Sequence, residues 1–134
     1  MSEIDDSNPF GYAPEIWRLF QRAPNAGSFA DDVQGVVSAE AGTPAARSVL
    51  RLALRFDGDR VVDARFRAYG CPASIAVGAY IAGWAQGRNP AELSALKAAD
   101  LRAALEIPED RAHCALLGED ALRAVLTRYK EQQA

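Results

Sequence analysis

From Ser48 to Phe56 apolar and polar residues alternate: Leu50, Leu52, Leu54 and Phe56 fall on one side, Arg51, Ala53 and Arg55 on the other. A period of two is the mark of a strand with one face buried. Asp57-Gly58-Asp59 follows, and this is hairpin turn chemistry. The alternation then resumes from Val61 to Tyr69, with Val62, Ala64, Phe66 and Ala68 set against Asp63, Arg65 and Arg67. The pattern predicts an antiparallel hairpin with an apolar inner face and an Arg-rich outer face.

The remaining segments read mostly as helix. Pro14 opens a short one with Ile16, Trp17, Leu19 and Phe20 on its apolar side, and Pro24-Asn25-Ala26-Gly27 ends it. A third strand is expected within Val33 to Ala39, followed by a loop through Gly42-Thr43-Pro44. After the hairpin, Gly70-Cys71-Pro72 leads into a helix to about Gln86, stopped by Gly87. Pro72 suits the first helical position, which makes Cys71 the N-cap. Asn89-Pro90-Ala91-Glu92 starts a short helix with a cap, a proline and a glutamate three residues on. Asp100 is expected to cap another. The last helix is expected to begin around Pro108 to Arg111 and to run to about Lys130, with Cys114, Leu117, Ala121, Leu122, Val125 and Tyr129 as its apolar stripe. Residues 1–12 are expected to be a disordered tail and residues 13–134 a single domain. Trp17, Phe20, Tyr80 and Trp84 are expected in the core. Strands and helices are segregated along the chain. The predicted class is therefore α+β: an N-terminal helix, a small three-stranded antiparallel sheet, then several helices packed on one face.

Composition narrows the function. The 134 residues suit one domain, and 49% apolar with 25% charged residues is ordinary for a globular protein. Fifteen basic against eighteen acidic residues leave a net charge of −3, which offers no drive toward nucleic acid or an anionic membrane. The stripe of Arg51, Arg55, Arg65 and Arg67 lacks interleaved aromatics for base stacking and reads as a solvated strand face. Ala68 to Gly87 carries no charge and is long enough to span a bilayer, yet its glycines, proline and many alanines point to a buried helix. The first nine residues lack the basic start and apolar run of a signal peptide. The expected compartment is the cytoplasm, where both thiols stay reduced.

Two cysteines, Cys71 and Cys114, and one histidine, His113, are the only soft donors in the chain. Their number excludes a disulfide scaffold and a four-cysteine zinc site within one chain. Cys71 stands at a helix start, where free N–H groups and the dipole favour a thiolate; its bland alternative is a small buried hydrophobe. His113-Cys114 falls in the first turns of the final helix. Adjacent helical residues project about 100° apart, so both reach one ion only near the helix start. The alternative there is a core cysteine beside a surface histidine. If the two helices are neighbours, all three residues gather at one end of the domain. Two thiolates and an imidazole suit zinc or iron–sulfur chemistry, and three ligands with an open fourth position describe an exchangeable site. Adjacent residues rarely orient as nucleophile and base, and the chain has no phosphate loop, GxGxxG or HExxH. No enzyme activity is expected.

Several short segments together resemble the IscU/NifU-type iron–sulfur cluster assembly scaffolds. They are Pro24-Asn25-Ala26-Gly27-Ser28-Phe29, Gly42-Thr43-Pro44-Ala45, Asp63-Ala64-Arg65-Phe66, Tyr69-Gly70-Cys71, His113-Cys114 and Gly118-Glu119-Asp120-Ala121-Leu122, with Tyr129-Lys130 near the end. The resemblance runs from about residue 12 to 130. It implies a small antiparallel sheet with helices on one face. It also implies assembly of a [2Fe–2S] cluster from iron and from sulfur delivered by a cysteine desulfurase, for transfer to apo-proteins. Three cysteines, an aspartate and a histidine serve the family's site. Position by position, Cys71 matches the second cysteine, His113 the histidine and Cys114 the third cysteine, the one expected to receive persulfide sulfur.

Three adjacent positions depart from that pattern. Ala46 stands where the first cysteine belongs, and Ser48 replaces the aspartate, which leaves at most a weak site contact. Arg47 replaces a glycine. The family's chaperone motif, Leu-Pro-Pro-Val-Lys, is kept only in outline in Ile107-Pro108-Glu109-Asp110-Arg111, so Pro108 and Arg111 are the expected partner contacts. One reading is a scaffold whose labile [2Fe–2S] cluster, iron or zinc is held by Cys71, His113 and Cys114. With one iron short of a ligand, that cluster would be labile or bridged by a second chain, as in a homodimer, or by a small thiol. The other reading is a degenerate paralogue holding Zn²⁺ and acting as a regulatory module for a desulfurase.

Overall fold

The computed structural model describes residues 11–133. The elements run α1 (Pro14–Arg22), β1 (Val36–Thr43), β2 (Ser48–Asp57), β3 (Arg60–Tyr69), α2 (Pro72–Ala85), α3 (Pro90–Ser94), α4 (Ala98–Leu105) and α5 (Ala112–Gln133), with one 3₁₀ turn, Glu109–Arg111, leading into α5. The three strands form an antiparallel sheet in the order β1-β2-β3. The α+β architecture is as the sequence predicts. Most of the expected tail, residues 1–10, lies outside the described residues. Tyr12, placed in that tail, instead packs partly buried against the core.

The inner face of the sheet carries Leu50, Leu52, Leu54, Phe56, Ala64 and Phe66, all buried. Helices α2 and α5 lie on it, α1 packs on α2, and α3 and α4 pack on α5. Two glycines permit the close approach. A methyl on Gly78 of α2 would sit 2.5 Å from the Phe66 ring, and one on Gly118 of α5 would sit 2.4 Å from Val77. The charge-free run from Ala68 is thus a core helix wedged between sheet and α5. Among the described residues, no helix is long and apolar enough to cross a membrane.

Several details depart from the sequence reading. Strand β3 holds a bulge: Arg55 pairs with Asp63, but Phe56 pairs with Val61. The extra residue flips the alternation, so Val61 is buried and Val62, expected inside, is 42% exposed. Strand β1 begins at Val36 rather than Val33 and runs through Gly42-Thr43, leaving the turn to residues 44–47. Asp100 does not cap α4. Lys97 holds the cap position, and Asp100 accepts its backbone N–H at 2.9 Å from the third position. The last helix starts at Ala112 and reaches Gln133. Tyr80 and Trp84 pack partly buried on the core, whereas Trp17 and Phe20 are half-exposed and lie against each other, 5.2 Å between ring centroids.

The Pro24–Gly27 turn has a structural role. The Phe66 amide donates to the Asn25 carbonyl at 3.0 Å, and the Gly27 amide donates to the Phe66 carbonyl at 2.9 Å. Gly87-Arg88 bonds Val61 in the same way further along β3. Both segments blunt an otherwise open sheet edge. On the outer face Arg51 pairs with Glu40 and Ser38, Arg65 with Asp63, and Arg67 bonds Ser28. Local partners hold these cations, as on a solvated strand face.

Candidate metal and cluster site

The two sulfurs meet at one end of the domain. Cys71 is the N-cap of α2, Cys114 is the third residue of α5, and their Sγ atoms lie 3.5 Å apart. The packing of α2 against α5 brings 43 residues of separation down to contact. His113 Nε2 lies 3.6 Å from Cys114 Sγ, with the imidazole on the exposed side. The three donors therefore form an open chain, Cys71–Cys114–His113. Among the described residues, no three His, Cys, Asp or Glu side chains already enclose a metal position.

The local backbone explains how Cys71 is presented. Gly70 lets the strand turn sharply into the helix: a methyl there would collide with Ser74 Oγ at 2.5 Å. The buried Ser74 hydroxyl donates to the Cys71 carbonyl at 2.7 Å and locks the first turn. The sulfur makes no cap hydrogen bond of ordinary geometry. It remains available at the helix start.

Electrostatics split the pair. The Cys114 thiol donating to it holds Cys71 far below the usual thiol range, at about 4, against the opposing effect of burial; the amides of Ser74 and Ala73 add to the lowering. Cys114 is pushed up, first because its proton is shared with Cys71 and then by burial. The resting pair is a half-buried thiolate beside a fully buried thiol. Cys114, expected to accept persulfide sulfur, is thus the less accessible of the two.

Two further side chains reach the site. Tyr12 lies against Cys71, and its hydroxyl is raised by burial and then by the neighbouring negative sulfur. The Arg111 guanidinium sits 5.9 Å from the centre of the Tyr12 ring and is raised by the negative charge of Tyr12 and Cys71. Arg111 is half-buried beside the sulfur pair, and Pro108, which caps the 3₁₀ turn, is exposed. Ser74 and Tyr12 carried no sequence signal beyond a serine in the first turn of a helix and an aromatic before one.

The β1–β2 turn closes the rim. Ser48 Oγ and the Arg47 carbonyl come within 3.4 and 3.5 Å of where a methyl on Gly70 would sit, so this turn borders Cys71. Ala46 is exposed in that turn and contributes only a methyl group. Arg47 takes a left-handed backbone conformation, φ 59°, the region a glycine fills most readily.

Comparisons with known proteins identify the family and the fold. Residues 11–134 match the family model described as the NifU-like N terminal domain. The chain is 32% identical over 123 residues to the iron–sulfur cluster assembly scaffold protein IscU of Escherichia coli K12, covering 91% of this chain and 96% of that one. It is 31% identical to iron–sulfur cluster assembly protein 3 of Arabidopsis thaliana, covering 91% of this chain and 72% of that one. Among solved structures, a scaffold protein for the SUF system from Fervidobacterium islandicum superposes with a TM-score of 0.67 at 20% identity, over 90% of this chain and 99% of that one. The NifU-like N-terminal protein of Brucella abortus superposes with a TM-score of 0.57 at 19% identity, over 90% and 94%. The chain belongs to the NifU-like N-terminal domain family.

Proposed function

We propose that this chain is an iron–sulfur cluster assembly scaffold, with Cys71, Cys114 and His113 as the residues that hold its cargo. The observation that carries the reading is the sulfur pair. Two thiolates on one tetrahedral ion with bonds near 2.3 Å sit about 3.8 Å apart, and these sulfurs are already at 3.5 Å. Cys71 binds as the thiolate it already is, and Cys114 gives up its proton on binding, so loading releases protons to solvent. His113 is exposed beside them, with Nε2 3.6 Å from Cys114 Sγ.

The scaffold role follows from the relatives named for cluster assembly. It places a cysteine desulfurase upstream as sulfur donor and apo iron–sulfur proteins downstream as acceptors. The cargo is taken up and passed on, with no turnover of a substrate. A reducing cytoplasm is the compartment that keeps both thiols usable. Ala46 and Ser48 weaken the protein's grip on the second iron, which makes the [2Fe–2S] cluster labile.

Anaerobic loading with iron and sulfide tests the reading. The expected result is cluster absorbance that disappears in Cys71→Ser and Cys114→Ser. Absence of absorbance in the unaltered chain would contradict it. The same Ala46 and Ser48 favour one other reading, a regulatory module for the desulfurase with Zn²⁺ on Cys71, Cys114, His113 and a water. That reading gains if the chain captures the desulfurase and binds stoichiometric zinc but never builds a cluster.

A further inference from the structure

We propose that the outer face of the sheet carries a binding site for a small organic carboxylate, in a cavity between the strands and residues 28–35. The chain leaves the edge of β3 at Gly27, whose amide donates to the Phe66 carbonyl. It rejoins the sheet at Gly35, whose carbonyl accepts the Phe56 amide, just before β1. With the strand order β1-β2-β3, the segment between must cross β2. It crosses on the face opposite the helices. Ser28 Oγ accepts from Arg67 Nε at 2.8 Å, the Arg65 guanidinium lies 5.0 Å from the centre of the Phe29 ring, and Ala53, which points outward from β2, is only 8% exposed. Beneath this strap lies a cavity of about 390 Å³ with Ala53 in its lining. That volume falls within the range of about 300–1,000 Å³ usual for small-molecule sites.

The lining selects the ligand. Its charged members are Arg51, Arg65 and Asp31, a net charge of one positive, which suits a monoanion. Arg65 sits opposite Ala53 and Arg51 opposite Arg67, so the two lining guanidiniums stand on diagonal positions, about 7–8 Å apart at the backbone. Arg65 uses Nη1 alone on Asp63 and on the Ala64 carbonyl. Among the described residues its Nε and Nη2 donate to nothing, and that edge of a guanidinium grips a carboxylate with two parallel bonds. Arg51 meets Glu40 at 3.4 Å with both side chains exposed, a pair weak enough to be traded for a ligand. Phe29, Val33 and Val36 supply apolar wall for the ligand's body. A head held by arginine and a body against aromatic and aliphatic groups describe a carboxylate such as phenylacetate. The site uses none of Cys71, Cys114 and His113 and stands apart from the scaffold reading.

Nitrogen–proton correlation NMR of the labelled full chain, titrated with phenylacetate, tests this. The expected result is saturable shifts in the amides of Gly27 to Asp31 and of Ala53, with those of Cys71 and His113 unmoved. Acetate and inorganic phosphate, which lack the apolar body, should each bind at least about tenfold more weakly. Arg65→Gln, which removes the two-bond grip, should weaken phenylacetate by at least about tenfold, and Arg51→Gln by less. Ala53→Leu, which fills the cavity from below, should abolish saturation while the circular dichroism stays unchanged. Shifts that never saturate, phosphate binding as tightly as phenylacetate, or an Arg65→Gln chain that binds like the unaltered one would each overturn the proposal and leave only an exposed cationic face. Cluster loading through the sulfur pair is read separately, so either result leaves the scaffold reading to its own test.

Discussion

Cys71 and Cys114 are the same residue type at two helix starts, 3.5 Å apart, yet the fold treats them in opposite ways. Cys71 caps α2 outside its first turn, half-buried, with amides of the following residues turned toward it. Cys114 follows a 3₁₀ turn that has already consumed the start of the helix, and it is fully buried in the apolar stripe. The first position favours a thiolate and the second a thiol. The lesson is that a position at a helix start does not determine cysteine chemistry: depth and the neighbouring donor do. The pair stores one negative charge and one proton, a resting state ready to exchange that proton for a metal bond.

The widest predicted gap between the two is in alkylation. Because Cys71 is held below the usual range, it is already thiolate across pH 6 to 8, so its rate with iodoacetamide should stay flat there. An ordinary thiol gains about tenfold per pH unit below its pKa of roughly 8.5. Cys114 should react far more slowly throughout. Peptide-resolved mass spectrometry reads both rates, and a Cys71 rate that climbs steeply with pH would break the contrast.

Removing the donor sharpens it. Cys114→Ala deletes the largest cause of the lowering, so protonation of Cys71 should move up in pH and its alkylation should regain a slope between pH 6 and 8. Cys114→Ser keeps a hydroxyl donor and should retain part of the flat profile. Equal profiles for the two variants would assign the lowering to the helix start alone.

Geometry comes next in size. Gly118→Ala puts a methyl 2.4 Å from Val77 and 2.9 Å from Ile81. Overpacking of this kind costs about 1–3 kcal/mol, and it pushes α2 away from α5. Denaturant melts should show that loss. Because the same contact sets the sulfur spacing, the variant should also bind metal more weakly. Normal affinity in a destabilised variant would separate the packing from the site.

The smallest effect is electrostatic. Arg111→Gln removes a cation beside Tyr12 and the sulfur pair. The onset of Cys71 protonation should shift upward by a fraction of a pH unit, and the shift should shrink as salt rises. A shift independent of salt would mean that Arg111 acts by packing.

Much of this was legible before the structure. The alternation in Ser48–Phe56 and Val61–Tyr69 carries the hairpin, because period two has one meaning on a sheet with one buried face. The Pro72 and Pro90 helix starts were equally plain. What was missed depends on events across the sheet. The bulge at Val61-Val62 leaves no local trace, and the limits of β1 are set by its pairing with β2. At the site, Cys71, His113 and Cys114 could be named from residue type and helix starts. The 3.5 Å contact, the split in charge and the reach of Tyr12 and Arg111 arise only from tertiary packing.

The central claim is that this sulfur pair holds iron–sulfur cargo. Iron and acid-labile sulfide measured on chain purified without oxygen, beside Cys71→Ser purified in the same way, tests it most directly. The account predicts iron and sulfide in equal amounts in the unaltered chain and neither in the variant. Zinc without sulfide, or the same iron and sulfide content in both proteins, would contradict it.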